Sequence, residues 1–252
     1  MASYFVSGAS RGLGLGICTA LAAKPASEVS IIYAAVRTET EAIKELASSA
    51  SGRVELVQLD VSSQESIKQA AGHVEASLGD KGLDVLLNVA GVTAYTPEGI
   101  HTMDDLGSLF TTNVVGVHNV TRAFLPLLRK GNLKKVINFS STIGSVAWAS
   151  QYKQAPHPAY KVSKTALNML TVQYAHSFED EGFTIIALSP GWVKTELGGP
   201  YGLLDVETSV EATLDIVFRV KKEDNGKFLN VRVPGYEDSP TLDRYLGEEV
   251  PW

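Results

Sequence analysis

Tyr4-Phe5-Val6-Ser7-Gly8-Ala9-Ser10-Arg11-Gly12-Leu13-Gly14 is the stretch whose reading decides the fold. A short apolar run over Tyr4–Ser7 passes through three glycines into a second apolar stretch that reads as a helix over Leu13–Ala23. Glycine at this point lets the chain turn tightly and bring its backbone against a diphosphate. The following helix offers free N–H groups and the positive end of its dipole. A glycine-rich turn can be only a turn. What gives this one weight is its place between a strand and a helix at the start of an alternating chain.

Outward from that turn the alternation continues. Strand-like runs fall at Tyr4–Ser7, Val29–Val36, Val54–Gln58, Val85–Asn88, Val136–Phe139 and Thr184–Leu188, with a weaker seventh near Phe228–Val231. Helix-like stretches cover Leu13–Ala23, Glu39–Ala50, Gln64–Leu78, Met103–Arg129 and Pro158–Glu181. Strands that are apolar without alternation, separated by helices, indicate a parallel sheet covered on both faces. The expectation is an α/β fold, a Rossmann-type doubly wound sheet flanked by helices. Ser62 and Ser63 ahead of Glu65 supply an N-cap region for the third helix. No linker, repeat or low-complexity stretch divides the chain, so residues 1–252 read as one domain. The stretch after Leu229, rich in Pro, Gly and acidic residues, reads as an irregular tail wrapped over the domain as a lid or edge.

Composition sets outer limits. Of 252 residues 44% are hydrophobic and 20% charged, with a net charge of −6, which suits a globular core and gives no clustered cation for nucleic acid or an anionic membrane. No apolar run is long enough to span a bilayer, and Met1-Ala2-Ser3 lacks the basic start of a signal peptide. The single cysteine, Cys18, lies in an apolar helical stretch and reads as core. It has no partner for an internal disulfide, so the cytoplasm is the expected compartment.

The end of the second strand selects between dinucleotides. NAD-binding sheets place a carboxylate there for the ribose 2′-hydroxyl. Here the strand ends Ala34-Ala35-Val36-Arg37. Arg37 suits a 2′-phosphate, with Arg11 in the glycine turn as a second cation in reach; both side chains could also be merely solvated. The expected cofactor is NADP(H). Farther on, Tyr160-Lys161-Val162-Ser163-Lys164 sets a phenol and an ammonium four residues apart, on one face of a helix. A nearby cation favours an ionised phenol and lowers its pKa, so Tyr160 is the candidate proton donor and acceptor.

These motifs together resemble the short-chain dehydrogenase/reductase family, whose fingerprint is Thr-Gly-x-x-x-Gly-x-Gly with Tyr-x-x-x-Lys downstream. Ser7 stands for the usual Thr and keeps the hydroxyl. The resemblance covers nearly the whole chain. It implies a catalytic set of Asn113, Ser141, Tyr160 and Lys164: Ser141, in Phe139-Ser140-Ser141, holds the substrate oxygen, and Asn113 holds a water beside the lysine in a proton relay. Ser140 reads as a backbone cap. The implied cofactor contacts are Gly8, Ser10, Arg11, Gly12, Leu13 and Gly14 in the turn, Arg37, then Asp60 and Val61 at the adenine. Asn88, Ala90 and Gly91 follow, with Val89 departing from the family's Asn. Tyr160 and Lys164 join them, then Pro190, Gly191, Val193 and Thr195 around the nicotinamide. Within the family the chain looks most like the carbonyl-reductase and C-factor-like branch, and within that like fungal norsolorinic acid ketoreductase-type proteins, on Phe228-Leu229-Asn230-Val231, Val233-Pro234-Gly235-Tyr236 and Glu249-Val250-Pro251-Trp252.

Ser141 and Tyr160 are separated by more residues than the family usually has, and the intervening loop carries Trp148, Tyr152, Pro156 and His157. Trp148, Tyr152 and Trp192 are candidate walls for an aromatic or polyketide-like ketone, although such aromatics can equally cover the edge of the core. His157 and the remaining histidines (His73, His101, His118, His176) read as surface residues without metal-ligand spacing, and no metal is expected. The function expected is NADPH-dependent reduction of a small-molecule carbonyl. An NADP-dependent alcohol dehydrogenase running oxidatively, or a non-catalytic NADP(H)-sensing protein, shares part of the same set. The resemblance implies a homodimer or homotetramer, with Leu167, Leu170 and Val172 serving either core or interface.

Overall fold

Seven parallel strands form one sheet in a computed structural model that describes residues 1–238 and 244–252. In chain order they are β1 (Ala2–Ser7), β2 (Val29–Val36), β3 (Val54–Gln58), β4 (Val85–Asn88), β5 (Lys135–Phe139), β6 (Thr184–Ser189) and β7 (Phe228–Asn230). Their spatial order is β3-β2-β1-β4-β5-β6-β7. The order reverses between β1 and β4, and a crevice outside the strand ends at such a point is where this architecture binds ligands.

Side-chain alternation along the strands feeds two cores. Phe5 of β1 packs against Phe124 with ring centroids 4.3 Å apart, among Tyr33, Ile67, Val74, Leu86, Leu128 and Ile185 on one face. Tyr4 and Val6 turn to the other face with Ile17, Leu21, Ile137, Leu188, Leu214 and Val217. Helices α1 (Gly12–Ala22), α2 (Glu41–Ser49) and α3 (Gln64–Leu78) follow the first three strands. The Ser63 hydroxyl accepts from the Ser66 amide and caps α3, as its sequence indicates.

Three features depart from the sequence reading. The expected single helix Met103–Arg129 is a short 3-10 turn (Ile100–Thr102), α4 (Leu106–Phe110), a π-helical stretch (Thr111–Gly116) and α5 (Val117–Lys130). Helix α6 (Pro158–Ser177) stops four residues early, because Gly182, at φ +78°, turns the chain back into β6. A further helix, α7 (Val206–Arg219), packs on α1; its N-cap Asp205 accepts from the Thr208 amide at 2.7 Å. Of the two places expected for the tail, its described residues take the edge: they fold back along the sheet through antiparallel bridges Leu229–Glu249 and Arg232–Leu246. Among the described residues, no helix is long and apolar enough to cross a membrane.

Candidate active site

The glycine turn is built by close approach. A Cβ on Gly14 would lie 2.2 Å from the Gly8 carbonyl oxygen, and one on Gly8, where φ is +72°, would lie 2.9 Å from Ala90 Cα. Neither position tolerates a side chain. The Ser7 hydroxyl accepts from the Val89 and Ala90 amides at 3.0 and 3.1 Å, tying the end of β1 to the end of β4. That bond is the physical use of a hydroxyl at position 7. The Ser10 carbonyl is fixed by the Thr40 hydroxyl at 2.8 Å, and Leu13 packs against the core.

At the end of β2, Arg37 is exposed and lies close enough to Asp60 to act on its charge. The Asp60 carboxylate is held below its usual range chiefly by hydrogen bonds from the Ser62 hydroxyl and amide, with Arg37 as a minor cause. Arg11 pairs with Glu196 at 2.7 Å across the cleft, both side chains about two-thirds exposed. Val61 lies against Gly116, whose Cβ would stand 2.9 Å from the Val61 carbonyl oxygen. The Asn88 side chain does not face the crevice. Its amide donates to Thr121 and Asn138 and Asn138 donates to Thr171, a buried network under the strand ends, so only the Asn88 backbone is left to face a ligand.

Segment Gly191–Leu204 closes the other side. The Pro190 carbonyl accepts from Ser209, the Trp192 amide donates to the Tyr245 hydroxyl at 3.0 Å, and Val193 bridges Leu204. Thr195 comes back against Gly12, whose Cβ would lie 3.4 Å from its methyl.

Between these walls stand the catalytic candidates. Tyr160 is 9% exposed, in an apolar cluster with Leu109 and Ala159 against Ala94, Met103, Leu106 and Ile143. Ser141, just past β5, stands near enough to the phenol to lower its pKa. Lys164 lies with its Nζ 5.4 Å from the Tyr160 ring centre and donates to the Phe139 carbonyl at 2.6 Å. Against the expectation of a lowered pKa, the net shift of the Tyr160 phenol is upward. Burial raises Tyr160 well above its ordinary value, offset only in part by Ser141. Burial also pushes Lys164 down to about 8.

Asn113 is fully buried in the π-helical stretch. Its Oδ1 accepts from the Val92 amide, and its Nδ2 donates to the Val92 carbonyl and to Ser163 Oγ. Ser163, to which the Tyr-x-x-x-Lys spacing assigns no role, in turn donates to the Tyr160 carbonyl and links Asn113 to α6. A Cβ on Gly91 would lie 3.3 Å from Asn113 Oδ1 and 3.6 Å from Lys164 Nζ, so the three converge on one spot.

The aromatic candidates separate. Trp148 packs against Ala187, Phe228 and Val250 and covers the edge of the core. Tyr152 is buried within its loop, its carbonyl accepting from Lys161 Nζ at 2.6 Å. Trp192 stays 43% exposed, its indole N–H donating to the Gly198 carbonyl. His157 is not a surface residue but a partly buried strut, its Nδ1 2.7 Å from the Ala94 carbonyl oxygen. Ser140 donates to Asn168 rather than capping backbone. Cys18 is buried, its thiol pushed up to about 12. No group of three His, Cys, Asp or Glu able to hold a metal ion occurs among the described residues.

Residues 3–202 match the family model of the short chain dehydrogenases. The chain belongs to the short-chain dehydrogenase/reductase family. An uncharacterised oxidoreductase of Schizosaccharomyces pombe is 32% identical over 247 residues, covering 90% of this chain and 94% of the relative. The C-signal protein of Myxococcus xanthus is 35% identical over 68% of this chain and 93% of its own. An NADPH-bound carbonyl reductase from chicken fatty liver superposes with a TM-score of 0.85 at 31% identity, covering 100% of this chain and 99% of that one. These likenesses place this short-chain dehydrogenase/reductase among carbonyl-reductase-like oxidoreductases.

Proposed function

We propose that the chain reduces a ketone to an alcohol with NADPH, Tyr160 acting as general acid. The observation that carries this reading is Tyr160 with Ser141 beside its phenol and Lys164 Nζ 5.4 Å from its ring centre, at the strand ends that open onto the glycine turn. The residues fit a dinucleotide. Gly8, Gly12 and Gly14 give a turn without side-chain bulk, Ser10 and Leu13 offer its backbone, and Arg37, with Arg11 nearby, suits a 2′-phosphate. Asp60 and Val61 border the adenine side, the Asn88 backbone, Ala90 and Gly91 the ribose, and Pro190, Gly191, Val193 and Thr195 the far end. NADPH bound there supplies the hydride.

The residues of the chain then handle the oxygen. Ser141 holds it by a hydrogen bond and lowers the cost of its developing negative charge. Tyr160 gives it a proton, leaving a phenolate that Lys164 is placed to stabilise. The phenol is protonated at neutral pH, as a proton donor must be, and burial makes it a weaker acid than a free one. Asn113 fixes Val92 and α6 and so the distance between Lys164 and Gly91. Trp192 borders an opening that suits an aromatic or polyketide-like ketone. The reducing cytoplasm suits the buried thiol of Cys18. A homodimer or homotetramer would use the exposed Val162 and Met169 of α6; Leu167 belongs to the core, and Leu170 and Val172 are half-buried.

The test is NADPH consumption by purified protein over diketones, quinones, simple aromatic ketones and polycyclic hydroxyanthraquinone ketones, with NADH and Tyr160→Phe alongside. NADPH-preferring turnover that falls at least 100-fold in the Phe variant, the lower range of a general-acid contribution of about 10²–10⁴, is the expected result. Equal rates for the two proteins refute it.

A further inference from the structure

Two contacts of the segment Val231–Trp252 lie on opposite walls of the cleft. At one, the Tyr245 hydroxyl accepts from the Trp192 amide at 3.0 Å, with the Tyr245 ring beneath Gly191 and edge-on to Tyr236 at 5.3 Å. Tyr236 in turn donates to the Leu203 carbonyl at 3.1 Å. Both phenols therefore hold the segment Gly191–Leu204.

At the other, the Pro251 carbonyl accepts from the Ser145 hydroxyl and the Trp252 carbonyl accepts from the Ala147 amide at 3.0 Å. The same Ser145 hydroxyl accepts from the Trp148 amide at 3.1 Å. The Trp252 ring stacks on Phe228 of the edge strand at 5.5 Å, and Val250 is buried with Phe228 and Trp148. This anchors the start of the loop joining Ser141 to Tyr160.

We propose that the tail is a positioning element of the active site, Tyr245 fixing the cofactor wall and the Pro251–Trp252 end fixing the loop between Ser141 and Tyr160. The proposal rests on the reductase reading for its kinetic part. Its physical basis is that a loop of this length costs entropy to hold, and Ser145 stands only four residues after Ser141. None of these tail residues touches the reacting atoms, so each acts through the wall it holds.

Three variants test it, each first checked for a folded spectrum and melting temperature. Tyr245→Phe keeps the ring and removes the hydroxyl. Its NADPH dissociation constant, read by fluorescence, is expected to rise about two- to tenfold, the range of one neutral hydrogen bond, with kcat within about twofold. Ser145→Ala and Trp252→Ala are expected to leave the NADPH dissociation constant within about twofold, lower kcat by a similar two- to tenfold factor and speed tryptic cleavage at the exposed Lys153. In the double variant the two losses should fall short of their product, because both act on one loop. Unchanged cleavage and kcat in folded Ser145→Ala and Trp252→Ala overturn the loop half, and unchanged NADPH affinity in Tyr245→Phe overturns the cofactor half. Should Trp252→Ala fail to fold, Ser145→Ala carries the loop test alone. If the wild type reduces no carbonyl, the reductase reading fails, while NADPH affinity and Lys153 cleavage still decide on the tail.

Discussion

Lys164→Met should leave the protein inactive yet change its stability in a way that depends on pH. Burial lowers the lysine from 10.5 to about 8 in the folded state. At about 1.36 kcal/mol per pH unit, the folded state carries about 3 kcal/mol of cost for keeping that ammonium charged. The sign follows from proton uptake. Below about 8 both folded and unfolded chains hold the proton and the cost is fully present; above 10.5 neither does, and it is gone. Wild type therefore gains stability relative to the Met variant as pH climbs from 8 to 10.5. Methionine removes the charge but strips the Phe139 carbonyl of its donor, at about 1–3 kcal/mol. That loss does not depend on pH, so it cancels from the trend. In melting-temperature terms the variant-minus-wild-type difference should fall by about 6–12 °C over that window, at about 2–4 °C per kcal/mol for a chain of this size. Calorimetry of both proteins without cofactor, at half-unit steps from pH 7 to 10.5, reads it directly. A difference that stays flat refutes the assignment of a buried, destabilising ammonium.

Arg37→Asp should cut kcat/KM with NADPH by about tenfold or more, the scale of a lost charge-assisted hydrogen bond, and narrow or reverse the preference over NADH; steady-state kinetics with both cofactors checks this. Gly14→Ala should abolish NADPH binding by fluorescence titration, since its methyl would stand 2.2 Å from the Gly8 carbonyl oxygen in the turn itself. Glu196→Gln frees Arg11 from an exposed ion pair. The melting temperature should hardly move, whereas NADPH affinity should rise about two- to fivefold at low salt and return to the wild-type value in high salt, where exposed charges are screened.

The strands were legible because their β-branched, unalternating apolar runs belong to a sheet buried on both faces. The glycine turn was legible because close backbone approach restricts residue choice so severely. Helix α7 escaped because Val206, Thr208, Val210, Thr213, Ile216 and Val217 are β-branched and weak helix formers. Its signal was present in Asp205 as cap and in Val206, Val210, Leu214 and Val217 at helical spacing. The spacing of Tyr160 and Lys164 showed that they share a helix face, but the ammonium's choice of the Phe139 carbonyl is a tertiary contact that spacing does not encode. Trp148 and Trp192 are alike as residues, and only the packing of the tail separates a core-edge ring from an exposed one. Asn88 followed the family motif in place, yet its side chain is committed beneath the sheet.

The π-helical stretch around Asn113 alters how this part of the molecule can vary. A π turn holds one residue more than an α turn, so Thr111–Gly116 absorbs one extra residue between α4 and α5. Deleting one residue there would restore α winding with α4 and α5 nearly in phase, and would move the side chains of the turn itself by one position. Substitution can change which side chain stands at 113; a change of length decides where it points. In a library of variants, the aim of this position toward Val92 and Ser163 is therefore a variable of chain length, and substitutions at fixed length would leave it unsampled.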